Sequence, residues 1–167
     1  TYGPTEASID VSSWRCLADE QGFSVPIGLP IYNTRLYVLD AAMTPVPIGM
    51  VGELFAGGPG LARGFAGQAA LTAERFVPDP FGAVAGQRLY RTGDLVRRRA
   101  DGAIEFIGRA DQQLKIRGAR IEPGEIEVVL ARHPAIAAAA VVAAETHRGD
   151  RILTGFFVPA GGVSVDP

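Results

Sequence analysis

Apolar residues in the first two-thirds of the chain fall in short runs separated by Gly, Pro, Asn and Asp, the pattern of many short strands joined by turns. It predicts strands at Thr34 to Leu39, Gly52 to Ala56, Arg88 to Arg97 and Ala103 to Ile107. Turn chemistry lies between them at Thr44-Pro45, Pro47-Ile48-Gly49 and Asp101-Gly102, the last a hairpin signal. Gln68 to Phe76 is rich in helix formers, with Leu71 and Arg75 on one side, and predicts a short helix. The texture changes at Asp111. Leu114 and Ile116 alternate with Gln113, Lys115 and Arg117 as in a half-buried strand, which Gly118 ends. A helix follows, with Pro123 in its first turn, Glu125 and Glu127 complementing the N-terminal dipole, Ile126, Val129, Leu130 and His133 at helical spacing, and Pro134 as its stop. Ala135 to Ala144 reads both ways, because its alanines favour helix and Val141 and Val142 favour strand, while residues 151–158 read as strand. The best boundary along the chain lies near Gly108 to Asp111.

Composition narrows the class. The chain has 167 residues, 16 Lys+Arg against 18 Asp+Glu, a net charge of −2, and is 47% apolar. A chain of this length can bury about 68–70% of its unfolded surface, enough for one core. The near-balanced charge argues against a nucleic-acid partner and against disorder. No run approaches the roughly 18 apolar residues of a spanning helix and no basic-then-apolar leader opens the chain, so no membrane partner is expected and the expected compartment is the cytoplasm. Cys16 is the sole cysteine, which excludes an intramolecular disulfide and a thiolate metal cluster and leaves a small buried hydrophobe as its expected role. The start at Thr1 without Met, and the stop after the turn-rich Pro159-Ala160-Gly161-Gly162, read as a piece of a longer protein.

Gly57-Gly58-Pro59-Gly60 invites a phosphate-loop reading, but the Lys that such a loop requires after its last Gly is missing, and turn glycines account for it better. His133 beside Pro134 and His147 in a polar loop read as capping and solvated residues. Three segments are more pointed. In Thr1-Tyr2-Gly3-Pro4-Thr5-Glu6 a rigid Gly-Pro turn presents a hydroxyl beside a carboxylate, a pairing suited to a phosphate with its Mg²⁺ or to an ordinary polar turn. In Tyr90-Arg91-Thr92-Gly93-Asp94-Leu95 a carboxylate interrupts a strand-like run just after Gly, where it could serve a ligand or close a turn. In the segment from Gly108 through Arg109 and Asp111 to Gly118, charged and apolar residues alternate, as on a solvated strand face.

Taken in order, TYGPTE, GELFAGGPGLARGF, LTAERFVPDPFG, YRTGDL, GRADQQLKIRGARIEPGEIE and HPAIAAAAVVA resemble the ordered core motifs of nonribosomal peptide synthetase adenylation domains, members of the adenylate-forming, AMP-binding superfamily. The resemblance spans essentially the whole chain. It implies an α/β multi-subdomain enzyme fragment: residues 1–20 ending the large N-terminal α/β subdomain, 21–110 a distorted β-barrel subdomain, and 111–167 the start of a small α+β C-terminal lid. It also turns Ala135 to Ala144 into a strand.

The implied activity is that of an ATP-dependent ligase of secondary-metabolite biosynthesis. An amino acid and Mg·ATP give an aminoacyl adenylate, whose acyl group passes to the phosphopantetheine thiol of a peptidyl carrier domain among neighbouring synthetase domains. By the match, Tyr2 helps form the adenine pocket, Thr5 contacts phosphate and Glu6 ligates Mg²⁺. Asp94 accepts hydrogen bonds from the ribose hydroxyls, a task for a carboxylate with several lone-pair sites. Arg109 binds near ribose and α-phosphate. Phe106 stands where the family usually has Tyr, keeping a stacking face without the hydroxyl. Asp111 is the hinge of the lid, with Gln113, Lys115 and Arg117 swinging with it and Gly118 freeing the local turn. Thr1, Ile9 and Asp10 line the side-chain pocket. Asp10, as a buried carboxylate, would favour a polar or basic amino acid, unless it points to solvent or pairs with a cation.

The family's glycine-rich phosphate loop and late catalytic Lys have no counterpart here, since the only lysine is Lys115 in the hinge strand. The segment alone is therefore expected to be inactive. Two rivals remain in view: an acyl-CoA ligase-like cousin, which would more often carry Lys than Asp at the hinge and lack the Pro of TYGPTE, and a non-catalytic interaction module from a decayed adenylation domain.

Overall fold

The structure is a computed structural model that describes residues 1–16, 25–111, 113–116, 119–145 and 150–161. The expectations for Arg117, Gly118 and His147, for the side chain of Lys115 and for a boundary at residue 20 lie outside the described residues. The chain divides into two compact units, Thr1–Ala110 and Asp111–Pro167.

The first unit is built on a five-stranded antiparallel sheet. Its strands follow a two-residue pair, β1 (Ser12–Ser13) and β2 (Leu29–Pro30), and are β3 (Arg35–Leu39), β4 (Val51–Gly57), β5 (Phe76–Pro78), β6 (Arg88–Arg98) and β7 (Ile104–Arg109), with α1 (Ala69–Arg75) ahead of β5. The order is β3-β4-β6-β5, and β7 also pairs with β6. The long β6 thus serves three neighbours. One flank runs along β4, while the other pairs first with β5 at Arg88–Tyr90 and then with β7 at Asp94–Arg98.

Both faces of this sheet are packed, as the alternation in each strand requires. Leu36, Val38, Leu54, Ala56, Val96 and Ile104 join Ala7 and Val11 of the N-terminal segment on one face. Leu39, Phe55 and Leu89 form a cluster of their own with Tyr37, Met43 and Val77. The Asp101-Gly102 turn forms as expected: Gly102 takes φ +87°, and the Ala103 amide donates to Asp101 Oδ1 at 3.1 Å.

In the second unit β8 (Leu114–Ile116) and β9 (Ala119–Ile121) form a small hairpin, followed by α2 (Pro123–Ala131) and the antiparallel pair β10 (Ile136–Glu145) and β11 (Arg151–Pro159). The alanine-rich run is a strand because Val141 and its neighbours pair with β11 along the whole ladder. Cross-strand pairing outweighs alanine's modest helical preference. Val129, expected on the buried face of α2, is 63% exposed. The helix docks on β10 partly through Glu127, whose Oε1 accepts the Val141 amide at 2.8 Å, so a carboxylate occupies the place periodicity reserved for an apolar side chain. The His133 side chain serves the turn after α2 rather than the helix end, accepting the Ala135 amide on Nδ1 at 3.2 Å. Cys16, expected inside, is exposed, because the apolar packing of the N-terminal segment ends at Val11 and Ser12.

Candidate functional site

The sequence TYGPTE folds back on itself through paired backbone bonds between Tyr2 and Val11–Ser12. Gly3 permits this closure, since a Cβ there would lie 2.0 Å from the Ile9 carbonyl oxygen. The closed loop sets the Tyr2 ring against the core face of the sheet. Thr5–Ala7 form one 3₁₀ turn, on which Glu6 is buried and Thr5 exposed.

On β6 the ladder with β4 is interrupted between Glu53/Leu95 and Phe55/Arg91, so that Thr92, Gly93 and Asp94 together oppose Leu54 alone. This bulge re-aims the strand. Gly93 takes φ +76°, a left-handed conformation that costs other residues roughly 1–2 kcal/mol. Thr92 Oγ1 donates to the Leu54 carbonyl at 2.8 Å and accepts the Asp94 amide at 3.0 Å. Asp94, two residues before Val96, shares that residue's face and is left with a 7% exposed side chain.

Three expected residues meet there. Arg109 pairs with Asp94 across the β6–β7 ladder and places Nη1 2.7 Å from Asp94 Oδ1. The Tyr2 hydroxyl, 92 positions away in sequence, donates to Asp94 Oδ2. Burial, and then the neighbouring Asp94 charge, push the Tyr2 phenol well above its ordinary value, so it remains a donor at any physiological pH. The cluster is thus a buried carboxylate held by one cation and one hydroxyl. A carboxylate offers about four acceptor positions, and these two donors fill two of them. Among the described residues about two are left for incoming hydroxyl or amide donors.

The other expected residues stand apart from this cluster. Ile9 is 80% exposed and carries φ +78°, unusual for a β-branched residue. Asp10 is half-buried beside it, and Thr1 is exposed. Phe106 lies on β7 opposite Val96 with its ring partly exposed. Asp111 opens the second unit and accepts the Gln113 amide on Oδ1 at 3.2 Å, while the buried Gln113 side chain donates to Glu122. Glu53 was not singled out by motif reasoning. It accepts from Arg91 Nε at 2.9 Å and from the Gly93 amide at 3.1 Å. Its cue was a single carboxylate inside the apolar run Gly52 to Ala56.

Comparison with known proteins agrees with the motifs. Residues 1–66 match the family model described as AMP-binding enzyme. The chain is 54% identical over 160 residues to a component of the linear gramicidin synthase of Brevibacillus parabrevis, covering 96% of this chain and 3% of that protein. It is 54% identical over 159 residues to the phosphinothricin tripeptide synthetase PhsB of Streptomyces viridochromogenes, covering 95% of this chain and 13% of that protein. Among solved structures, PA1221, a nonribosomal peptide synthetase protein containing adenylation and PCP domains, superposes with a TM-score of 0.82 at 32% identity, over 98% of this chain and 33% of that one. The chain is thus similar along nearly all of its length to nonribosomal peptide synthetases, and its N-terminal part matches the AMP-binding enzyme family. It spans only a small part of the length of the curated relatives it matches.

Proposed function

We propose that this chain is part of an adenylation domain that condenses an amino acid with Mg·ATP to an aminoacyl-AMP and then delivers the acyl group to the phosphopantetheine thiol of a carrier domain. The observation that carries this reading is the buried Asp94, held by Arg109 and Tyr2 with acceptor capacity to spare. Ribose hydroxyls are donors of the kind that fill such positions. Tyr2 packs beside the adenine and orients Asp94. Arg109, charged at every relevant pH, meets the negative charge that grows at the α-phosphate as the amino-acid carboxylate attacks and pyrophosphate leaves.

Among the described residues no three His, Cys, Asp or Glu side chains cluster. That suits Mg²⁺, which takes one or two protein carboxylates and completes its shell with water and substrate phosphates. Glu6, a hard oxygen donor on the turn after Pro4, would hold it, with Thr5 on the phosphate. Bound there, the ion would neutralise phosphate charge. Thr1, Ile9 and Asp10 line the side-chain pocket, and Asp10 favours a polar or basic amino acid such as ornithine, arginine or serine. Residues 111–167 begin the lid, Asp111 is its hinge, and Gln113, Lys115 and Arg117 travel with it. The segment alone is inactive, because the late catalytic Lys has no counterpart in it. Removing one transition-state partner of that kind typically costs about 2.7–4 kcal/mol.

Amino-acid-dependent pyrophosphate exchange by the complete adenylation domain tests this reading. Exchange with a polar or basic amino acid is expected. Best exchange with leucine, valine or phenylalanine would overturn the Asp10 assignment, and acyl-CoA formation without amino-acid-dependent exchange would overturn the activity itself.

A further inference from the structure

Asp94 can receive a ligand only if the bulge that carries it is held, and the contacts that hold it come from both faces of the sheet. On the buried face, Thr92 ties the bulge to the Leu54 carbonyl and caps the Asp94 amide. On the opposite face stands Glu53. Leu54 and Ala56 point into the core cluster shared with Val96, so Glu53 and Phe55, one residue out of phase, face the other way. The Glu53 side chain is 13% exposed and reaches past the interrupted rung of the ladder to β6. Its Oε1 accepts the Gly93 amide at 3.1 Å, and both its oxygens engage Arg91, with Nη2 at 2.8 Å from Oε2. The Gly93 carbonyl in turn accepts the amide of Ala110, the residue after Arg109, at 2.8 Å. Both backbone polar groups of Gly93 are thereby fixed, and through them the direction in which Asp94 leaves the strand and the end of β7 that carries Arg109.

We infer that Glu53 is a positioning residue for the nucleotide site, holding the Thr92-Gly93-Asp94 bulge from the face opposite the ligand so that the Asp94 carboxylate meets the ribose. Glycine at 93 makes this hold necessary. Gly93 supplies the left-handed conformation but also the greatest backbone freedom, which the Glu53 carboxylate removes. Arg91, bonded to both of its oxygens, keeps that carboxylate pointed along the strand. The pair is mutual, since the bond to Glu53 raises the Arg91 guanidinium further above its ordinary value. The role assigned to Glu53 rests on the ribose reading of Asp94, and the experiment separates the two.

In the complete adenylation domain, Glu53→Met keeps side-chain length without an acceptor, and Glu53→Gln keeps one oxygen for the Gly93 amide. Two readouts are taken: hydrogen exchange at the Gly93 and Asp94 amides, and the preference for ATP over 3′-deoxy-ATP in pyrophosphate exchange, with Asp94→Asn as reference. Glu53→Met should speed Gly93 exchange, raise KM for ATP about tenfold at nearly unchanged kcat and cut the preference for ATP to the level of Asp94→Asn, the behaviour of lost binding rather than lost chemistry. Glu53→Gln should recover most of the preference. Unchanged Gly93 exchange in Glu53→Met would overturn the inference. So would faster exchange with a wild-type preference for ATP while Asp94→Asn loses it. If Asp94→Asn itself keeps the preference, the ribose reading falls and takes the role of Glu53 with it, whatever the Gly93 amide does.

Discussion

Asp94→Ala removes the counter-charge that lies 2.7 Å from Arg109 Nη1 and the acceptor of the Tyr2 hydroxyl. By sequence alone such a change would weaken nucleotide use and leave the fold intact. The geometry changes that expectation. The Asp94 and Arg109 side chains are 7% and 13% exposed, so the pair counts as buried, and removing one member of a buried pair costs about 3–5 kcal/mol. The residual exposure of Arg109 puts this site near the lower bound, about 3 kcal/mol, a large share of the roughly 5–15 kcal/mol that holds a domain together. With a urea m-value of about 2 kcal/mol/M, the midpoint should fall by about 1.5 M. Trp14, the only tryptophan, lies in the first unit and packs against Arg99, so its fluorescence reports the unfolding of that unit. Arg109→Met should cost a comparable amount, and Asp94→Asn about half. The double variant Asp94→Ala/Arg109→Met should lose less than the two single losses added together, by at least about 1.5 kcal/mol. A midpoint for Asp94→Ala within about 0.3 M of wild type, or strict additivity in the double variant, would refute the buried pair.

Three further predictions test separate parts of the account. An unfolded phenol ionises near 10.0 while the native Tyr2 phenol is held higher, so above pH 10 the unfolded state releases a proton that the native state keeps. Stability from this group is complete below pH 10 and falls by about 1.4 kcal/mol per pH unit above it. Tyr2→Phe should lack that extra slope in alkaline denaturation, and matching slopes would contradict the Tyr2–Asp94 bond. Gly93→Ala, at φ +76°, should cost about 1–2 kcal/mol in the same urea assay, and a neutral result would deny the left-handed bulge. Asp111→Pro fixes φ at the proposed hinge and pushes Ala110 towards extended geometry. It should therefore separate adenylate formation from thiol transfer, and equal loss of both, or of neither, would remove Asp111 from that role.

Much of the β architecture was legible because its cues are local. Period-two alternation and Gly or Asp-Gly breaks mark β3, β4, β6 and β7 to within two residues. What escaped needed partners from elsewhere. The three-residue β5 follows α1 without a break and is a strand only because β6 offers it an edge. β9 directly follows the expected break at Gly118 and pairs with β8. In α2, Ile126, Val129 and Leu130 repeat at helical spacing, yet Val129 is exposed and Glu127 meets Val141, a contact that only the tertiary fold supplies.

The site divides the same way. Tyr2, Asp94 and Arg109 were marked by their motifs, but their convergence depends on a loop closure at Gly3 and a bulge at Gly93 that no spacing rule encodes. Glu53 carried a cue that went unread: an acidic side chain in the middle of a central strand, where burial demands a partner.

The most direct test of the account is a crystal structure of the complete adenylation domain with AMP bound. Ribose 2′- and 3′-hydroxyl oxygens about 2.5–3.0 Å from the Asp94 carboxylate, with Arg109 and the Tyr2 hydroxyl still on that group, are the result predicted here. A ribose held by other residues, with Asp94 bound to Arg109 and Tyr2 alone, would contradict it.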